Sequence, residues 1–154
     1  MATCDGIGGG ALGGAYKLVE YDGSPRLKLT AETIKSSLPG KKKILRLTDL
    51  SGHYGGDVIC CMNDEPEAGE RIFDPHNPAR HKLLGTGSLD ELHCLQMSAG
   101  SAVAPSPSLD QVADHAADEL KRLPEGSLRL HNPHLYKVSI SKSLCRLRDQ
   151  LQHG

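Results

Sequence analysis

Residues 12–30 read LGGAYKLVEYDGSPRLKLT, and the reading of the fold starts from them. Residues 16–21 form a run of β-forming side chains, Asp22-Gly23 is a tight-turn dipeptide, and residues 26–30 alternate. In that second arm Leu27 and Leu29 point one way while Arg26, Lys28 and Thr30 point the other, the period-two pattern of a half-buried strand. Glycine at the second turn position accepts the positive φ that a type I′ turn demands, so the stretch predicts a β-hairpin. Ser24 and Pro25 extend the turn, because proline cannot donate to a ladder.

Around this hairpin the composition sets limits. A chain of 154 residues suits one domain, or one domain with an appended segment. One Phe, no Trp and four Tyr leave leucine to fill the core. With Gly at 17 and Pro at 9, turns should be frequent. A formal net charge of −1 gives no field that would favour nucleic acid or an anionic membrane, so neither is expected as a partner. The start, MATCDGIGGG, lacks the basic and apolar regions of a secretory signal, and no 18-residue apolar run occurs. Cys4, Cys60, Cys61, Cys94 and Cys145 are an odd set without framework spacing, which suits a reducing compartment; the cytosol is the expected location.

Upstream of the hairpin, residues 1–14 form a Gly-rich lead-in. Gly8-Gly9-Gly10-Ala11-Leu12-Gly13 satisfies G-x-G-x-x-G, but a phosphate cradle needs a strand before it and a helix after, and neither is indicated. Downstream, residues 31–37 could make a helical turn or two, stopped by Leu38-Pro39-Gly40. Lys41, Lys42 and Lys43 then read as the solvated start of a strand rather than a phosphate patch. Residues 44–48 are that strand, with Ile44 and Arg46 on one face and Leu45 and Leu47 on the other, paired as a hairpin with the apolar strand 57–62, DVICCM. After an acidic loop (63–70), short strands are expected at 71–73 and 81–84, and 89–97 fits either strand or helix. Residues 98–108, SAGSAVAPSPS, read as a linker.

The pattern then changes. Ser108 with Gln111 is a capping box, and Leu109, Val112, Ala113, Ala116, Ala117 and Leu120 repeat at helical spacing, predicting an amphipathic helix over 109–123 whose Ala-rich face can pack against a sheet. A strand at 135–140 (LYKVSI) and a last helix at 142–152, capped by Ser141 or Ser143 and bearing Leu144, Leu147 and Leu151, complete an α+β fold built on a small antiparallel sheet.

Candidate sites are few. His131 and His134 share a proline-containing loop, His76 and His81 flank Pro78, and His93-Cys94 are neighbours that point opposite ways on a strand. No C-x-x-C or H-x-x-x-H occurs, so no metal site is expected. Cys60-Cys61 in an apolar strand reads as inert buried thiol, and Asp64, Glu65, Glu67 and Glu70 as solvated carboxylates.

One resemblance goes further. Leu12-Gly13-Gly14-Ala15-Tyr16-Lys17-Leu18-Val19 resembles the LGGxYKLV run of nicotinate phosphoribosyltransferases, and Pro25-Arg26-Leu27-Lys28-Leu29-Thr30 resembles their PRxKLS/T. In the same order, Leu38-Pro39-Gly40-Lys41-Lys42, the stretch Glu70-Arg71-Ile72-Phe73-Asp74-Pro75, Leu123-Pro124-Glu125 and the segment NPHLYKVSIS (132–141) are similar to pieces of that family's C-terminal region. The resemblance implies an enzyme that joins nicotinate to phosphoribosyl pyrophosphate, with ATP and Mg²⁺, as a homodimer, in NAD biosynthesis.

It also implies that only the last part of such an enzyme is present. Residues 15–37 would be the tail of the catalytic core and 38–151 the C-terminal domain. Ala2-Thr3-Cys4 resembles the VTC that follows the family's phosphate-gripping GVGT loop, so that loop falls outside this chain, and residues 5–10 depart from the family's DQP-containing spacing. No catalytic, cofactor-binding or metal residue carries over, and the chain alone is expected to be inactive and to bind no cofactor. Two alternatives are a non-catalytic module that associates with full-length subunits, and a free phosphate-binding domain using residues 6–14 and 41–43.

Overall fold

The computed structural model describes residues 16–28 and 37–153. The hairpin turn lies where the sequence places it: β1 (Glu20–Tyr21) and β2 (Ser24–Pro25) pair antiparallel across Asp22 and Gly23, whose φ angles of 49° and 69° are both left-handed. The ladder differs from expectation. Its second arm is Ser24–Pro25, not residues 26–30; one further bond in register, Arg26 N to the Val19 carbonyl (2.8 Å), follows, and that carbonyl also accepts from Gly40 N (2.7 Å), where the chain turns toward the next strand. Leu27 is half-buried between exposed Arg26 and Lys28, so the alternation is expressed as burial without a strand. Leu29 and Thr30, most of the expected 31–37 helix and the lead-in 1–14 lie outside the described residues.

Next come β3 (Lys42–Thr48), β4 (Tyr54–Cys61), β5 (Arg71–Phe73), β6 (His81–Leu83), β7 (Ser88–Glu91), β8 (Met97–Ser98) and β9 (Ser101–Ala102). They are followed by α1 (Leu109–Lys121), a 3-10 turn at Glu125–Leu128, β10 (Val138–Ile140) and α2 (Lys142–His153). Six strands form one sheet in the order β6-β5-β10-β4-β3-β7. The β3–β4 hairpin is as expected, with Ile44 opposite Ile59 and Arg46 opposite Asp57. Leu45 and Leu47 are buried and Ile44 and Arg46 half-buried, the predicted parity.

The sheet is not purely antiparallel. β10 enters between β5 and β4 and runs parallel to β4, with Val138 opposite Asp57 and Ile140 opposite Ile59. A parallel pair needs a long crossover, here residues 62–137, which pattern reading of adjacent segments does not foresee. The strand is also shorter than 135–140, beginning at Val138, and just before it Lys137 lies close against β4 at a glycine. Its carbonyl accepts from Asp57 N at 2.9 Å, and a Cβ on Gly56 would lie 2.7 Å from that oxygen. The expected linker opens with the β8–β9 hairpin, turned at Ala99 and Gly100 with φ of 49° and 82°.

Two apolar clusters hold the sheet. Leu47, Val58, Ile72 and Leu84 pack on one side with Leu89 against them. Ile140, Leu144 and Cys145 form the other with Leu38, Ile59, Cys61 and Phe73, which docks α2. Each side chain so buried contributes about 1.5–3 kcal/mol. Ser141 caps α2, its hydroxyl accepting from Leu144 N at 3.2 Å.

The first helix forms behind its predicted capping box but does not pack as expected. No residue of α1 is buried, and Leu109 and Leu120 are 88 % and 54 % exposed. It is held to the sheet by polar contacts at its C-terminal end. Glu119 accepts from Tyr54 Oη (2.6 Å) and Arg46 Nη1 (3.0 Å). Just past the helix end, Arg122 donates to Thr48 Oγ1 (3.1 Å) and lies 4.5 Å from the Tyr54 ring centroid. Arg46 in turn donates to both Asp57 oxygens (2.9 and 3.1 Å), Tyr136 Oη donates to Asp57 Oδ1 (2.8 Å), and the Arg46 guanidinium lies over the Tyr54 and Tyr136 rings. The Asp57 hydrogen bonds hold Arg46 above its ordinary pKa.

Removing one partner from a desolvated charged pair strands the other. Asp57→Ala should therefore cost about 3 kcal/mol, a fall in Tm of roughly 6–12 °C for a chain of this size, whereas breaking the exposed Lys121–Asp118 bridge with Lys121→Ala should shift it little. A calorimetric shift under about 2 °C for Asp57→Ala would show the fork to be dispensable. Burial also raises the pKa of the Tyr54 and Tyr136 phenols and the Cys60, Cys61 and Cys145 thiols. An unfolded chain releases such protons near about 8.5 for thiols and 10 for phenols, so above that range the folded state binds more protons and stability falls as pH rises. The urea midpoint should be flat between pH 7 and 8 and decline steadily from about pH 9 to 11.

Candidate functional site

The thiols of β4 and α2 are poor nucleophiles. Cys60 is fully buried, and burial pushes it up to about 11. Cys61 and Cys145 are raised by the same cause. Catalytic thiols need the opposite environment. Cys94 is exposed, and Cys4 lies outside the described residues.

The histidines do not converge. His81 tilts against Phe73 with ring centroids 6.0 Å apart, His93 Nδ1 is 3.9 Å from Glu91, and His134 covers Gly126, where a Cβ would meet its ring. Among the described residues no three His, Cys, Asp or Glu side chains gather as metal ligands, and no helix is long and apolar enough to cross a membrane.

Two sequence expectations need correction. Asp64 is not a solvated carboxylate: it accepts from Cys61 N (3.0 Å), Ser141 Oγ (2.8 Å) and Ser143 Oγ, tying the acidic loop to the start of α2. The lysine run is not uniformly solvated either. Lys42 turns back onto the Leu38, Pro39 and Gly40 carbonyls, while Lys41 pairs with Glu20 at 3.0 Å. That leaves Lys42 unavailable to a phosphate.

The feature that sequence reading missed is a groove of about 460 Å³ where the β5–β6 connection meets the lead-in to β10. Lys82 and Lys137 line it together with His76, Arg80 and His81; Asp74 is its one acid. A signal was present in the strand HKLL: Lys82 shares parity with Leu84, which is buried, so a lysine occupies a core-facing position. The charged side chains that line it are basic apart from Asp74.

Comparison with known proteins places this architecture. Residues 41–148 match the family model described as nicotinate phosphoribosyltransferase C-terminal domain. Nicotinate phosphoribosyltransferase of Dictyostelium discoideum is 33 % identical over 144 residues, 87 % of this chain and 24 % of the relative. The Homo sapiens enzyme of that name is 35 % identical over 149 residues, 94 % of this chain and 27 % of its own length. The crystal structure of human nicotinic acid phosphoribosyltransferase superposes with a TM-score of 0.75 at 30 % identity, covering 93 % of this chain and 27 % of that one. The chain thus spans about a quarter of the length of the relatives it matches. It belongs to the nicotinate phosphoribosyltransferase family, of which it carries the C-terminal region.

Proposed function

We propose that this chain is the C-terminal portion of a nicotinate phosphoribosyltransferase, an enzyme that joins nicotinate to phosphoribosyl pyrophosphate with ATP and Mg²⁺ in NAD biosynthesis, and that these 154 residues do not catalyse the reaction alone. The observation that carries the reading is the match of nearly the whole chain, in sequence and in fold, to about a quarter of such enzymes. Residues 15–37 then belong to the catalytic core and 38–151 to the C-terminal domain, in a cytosolic homodimer.

Chemistry supports the inactivity. Phosphoribosyl transfer needs a pyrophosphate held with a metal ion beside a stabilised cationic centre in a dry pocket. The described residues offer β4 and α2 thiols that burial makes weak acids, scattered histidines and an Asp64 already committed to two serines and a backbone amide. No residue here is assigned a catalytic or cofactor-binding role. The alternative of a non-catalytic module gains no separate support, since the relatives named above all carry the enzyme's name.

Purified chain incubated with nicotinate, phosphoribosyl pyrophosphate, ATP and Mg²⁺ should form no nicotinate mononucleotide above the no-protein control, read by chromatography. Product accumulating in proportion to protein concentration would overturn the proposed inactivity.

A further inference from the structure

The buried and half-buried cations of this fold are not all partnered. Arg46 has two carboxylates and two tyrosine rings, Arg148 has Asp149 and the Pro75 carbonyl, and Lys42 has three carbonyls. Among the described residues Lys82 has no such partner; the charge it feels is that of Lys137. Lys82 Nζ reaches across to β4, 3.5 Å from where a Cβ on Gly56 would lie, and the Lys137 side chain leaves the backbone beside the same point, its Cβ 3.5 Å away. Burial and the Lys137 charge together lower the Lys82 pKa.

Around this pair the groove is basic. Asp74, its one acid, is engaged by its own loop, accepting from His76 N (2.8 Å) and Asn77 N (3.0 Å). Leu135, 90 % exposed, and Val138 add an apolar rim. A volume of about 460 Å³ falls within the range of small-molecule sites. A half-buried ammonium sharing a groove with a second, exposed one is relieved by one polyvalent anion, and phosphate suits ammonium donors.

We propose that this groove binds a small phosphate-bearing molecule, its phosphate between the Lys82 and Lys137 ammonium groups and its organic part on Leu135 and Val138. The proposal does not rest on the catalytic reading above.

Calorimetric titration of the 154-residue chain at low salt with inorganic phosphate, pyrophosphate and AMP tests it. Saturable one-to-one binding is expected, with AMP tighter than inorganic phosphate if the apolar rim is used. Lys82→Met and Lys137→Met should each weaken binding about tenfold or more, and Lys121→Met on α1 should not. Melting separates binding from folding: without ligand, Lys82→Met should melt at or above the wild-type temperature, since it removes a repulsion, yet lose the rise that saturating pyrophosphate gives the wild type. That rise should be roughly 5 °C or more at a hundredfold excess over Kd. Exposed Lys137 gives the same test should Lys82→Met fold poorly. Absence of saturable binding to all three probes, or Lys137→Met binding as the wild type does, overturns the site. Equal losses at Lys121 and Lys137 would also do so, since they would show only general charge.

Discussion

The Arg46–Asp57 fork is the interaction on which the arrangement of the other elements depends. It spans the β3–β4 hairpin at directly opposed positions, where a cross-strand charge pair reinforces register. Tyr136 bonds the same carboxylate just before β10, so the fork also fixes where the last strand enters. Glu119 bonds the same guanidinium from α1. For that helix no hydrophobic term competes, because none of its residues is buried. Charged hydrogen bonds worth about 1.5–3 kcal/mol each, with cation–π contacts of about 0.5–2 kcal/mol from Arg46 and Arg122 on Tyr54, therefore account for its docking.

Completion of the sheet is a long-range event. β10 supplies Ile140, fully buried, to the cluster that seats α2, yet it pairs with a strand more than 75 positions earlier. Local hairpins such as β3–β4 and β5–β6 can form first, while the parallel pairing waits for closure of the 62–137 segment, whose entropy rises only slowly with length. Asp64 fastens the far end of this closure. Its carboxylate bridges the turn after β4 to Ser141 and Ser143, bringing the N-terminus of α2 against the strand it must cover.

These two long-range facts explain what the sequence could and could not show. Parity in β3, the Ser108–Gln111 box, the Asp22-Gly23 turn and the Leu144 face of α2 were legible because each is decided within a few residues. The parallel insertion of β10 was not, since LYKVSI looks the same beside either neighbour. The free face of α1 was not either, because its spacing reports amphipathicity and not what covers it. The family resemblance was legible for a different reason: short motifs kept in order along the chain do not require the fold to be known.

Lys82 sharpens the contrast with Arg46, since both occupy strands of one sheet. Arg46 shows what this fold supplies to a cation kept as part of its framework: opposed carboxylates, aromatic faces and a fixed geometry. Lys82 receives burial and a second positive charge, both of which act against its protonated form. A methionine or leucine there would avoid both terms and continue the apolar parity that leads to Leu84. A position that opposes stability in this way, at the mouth of an open groove whose acid is already engaged, is more simply understood as a binding position than as a packing one.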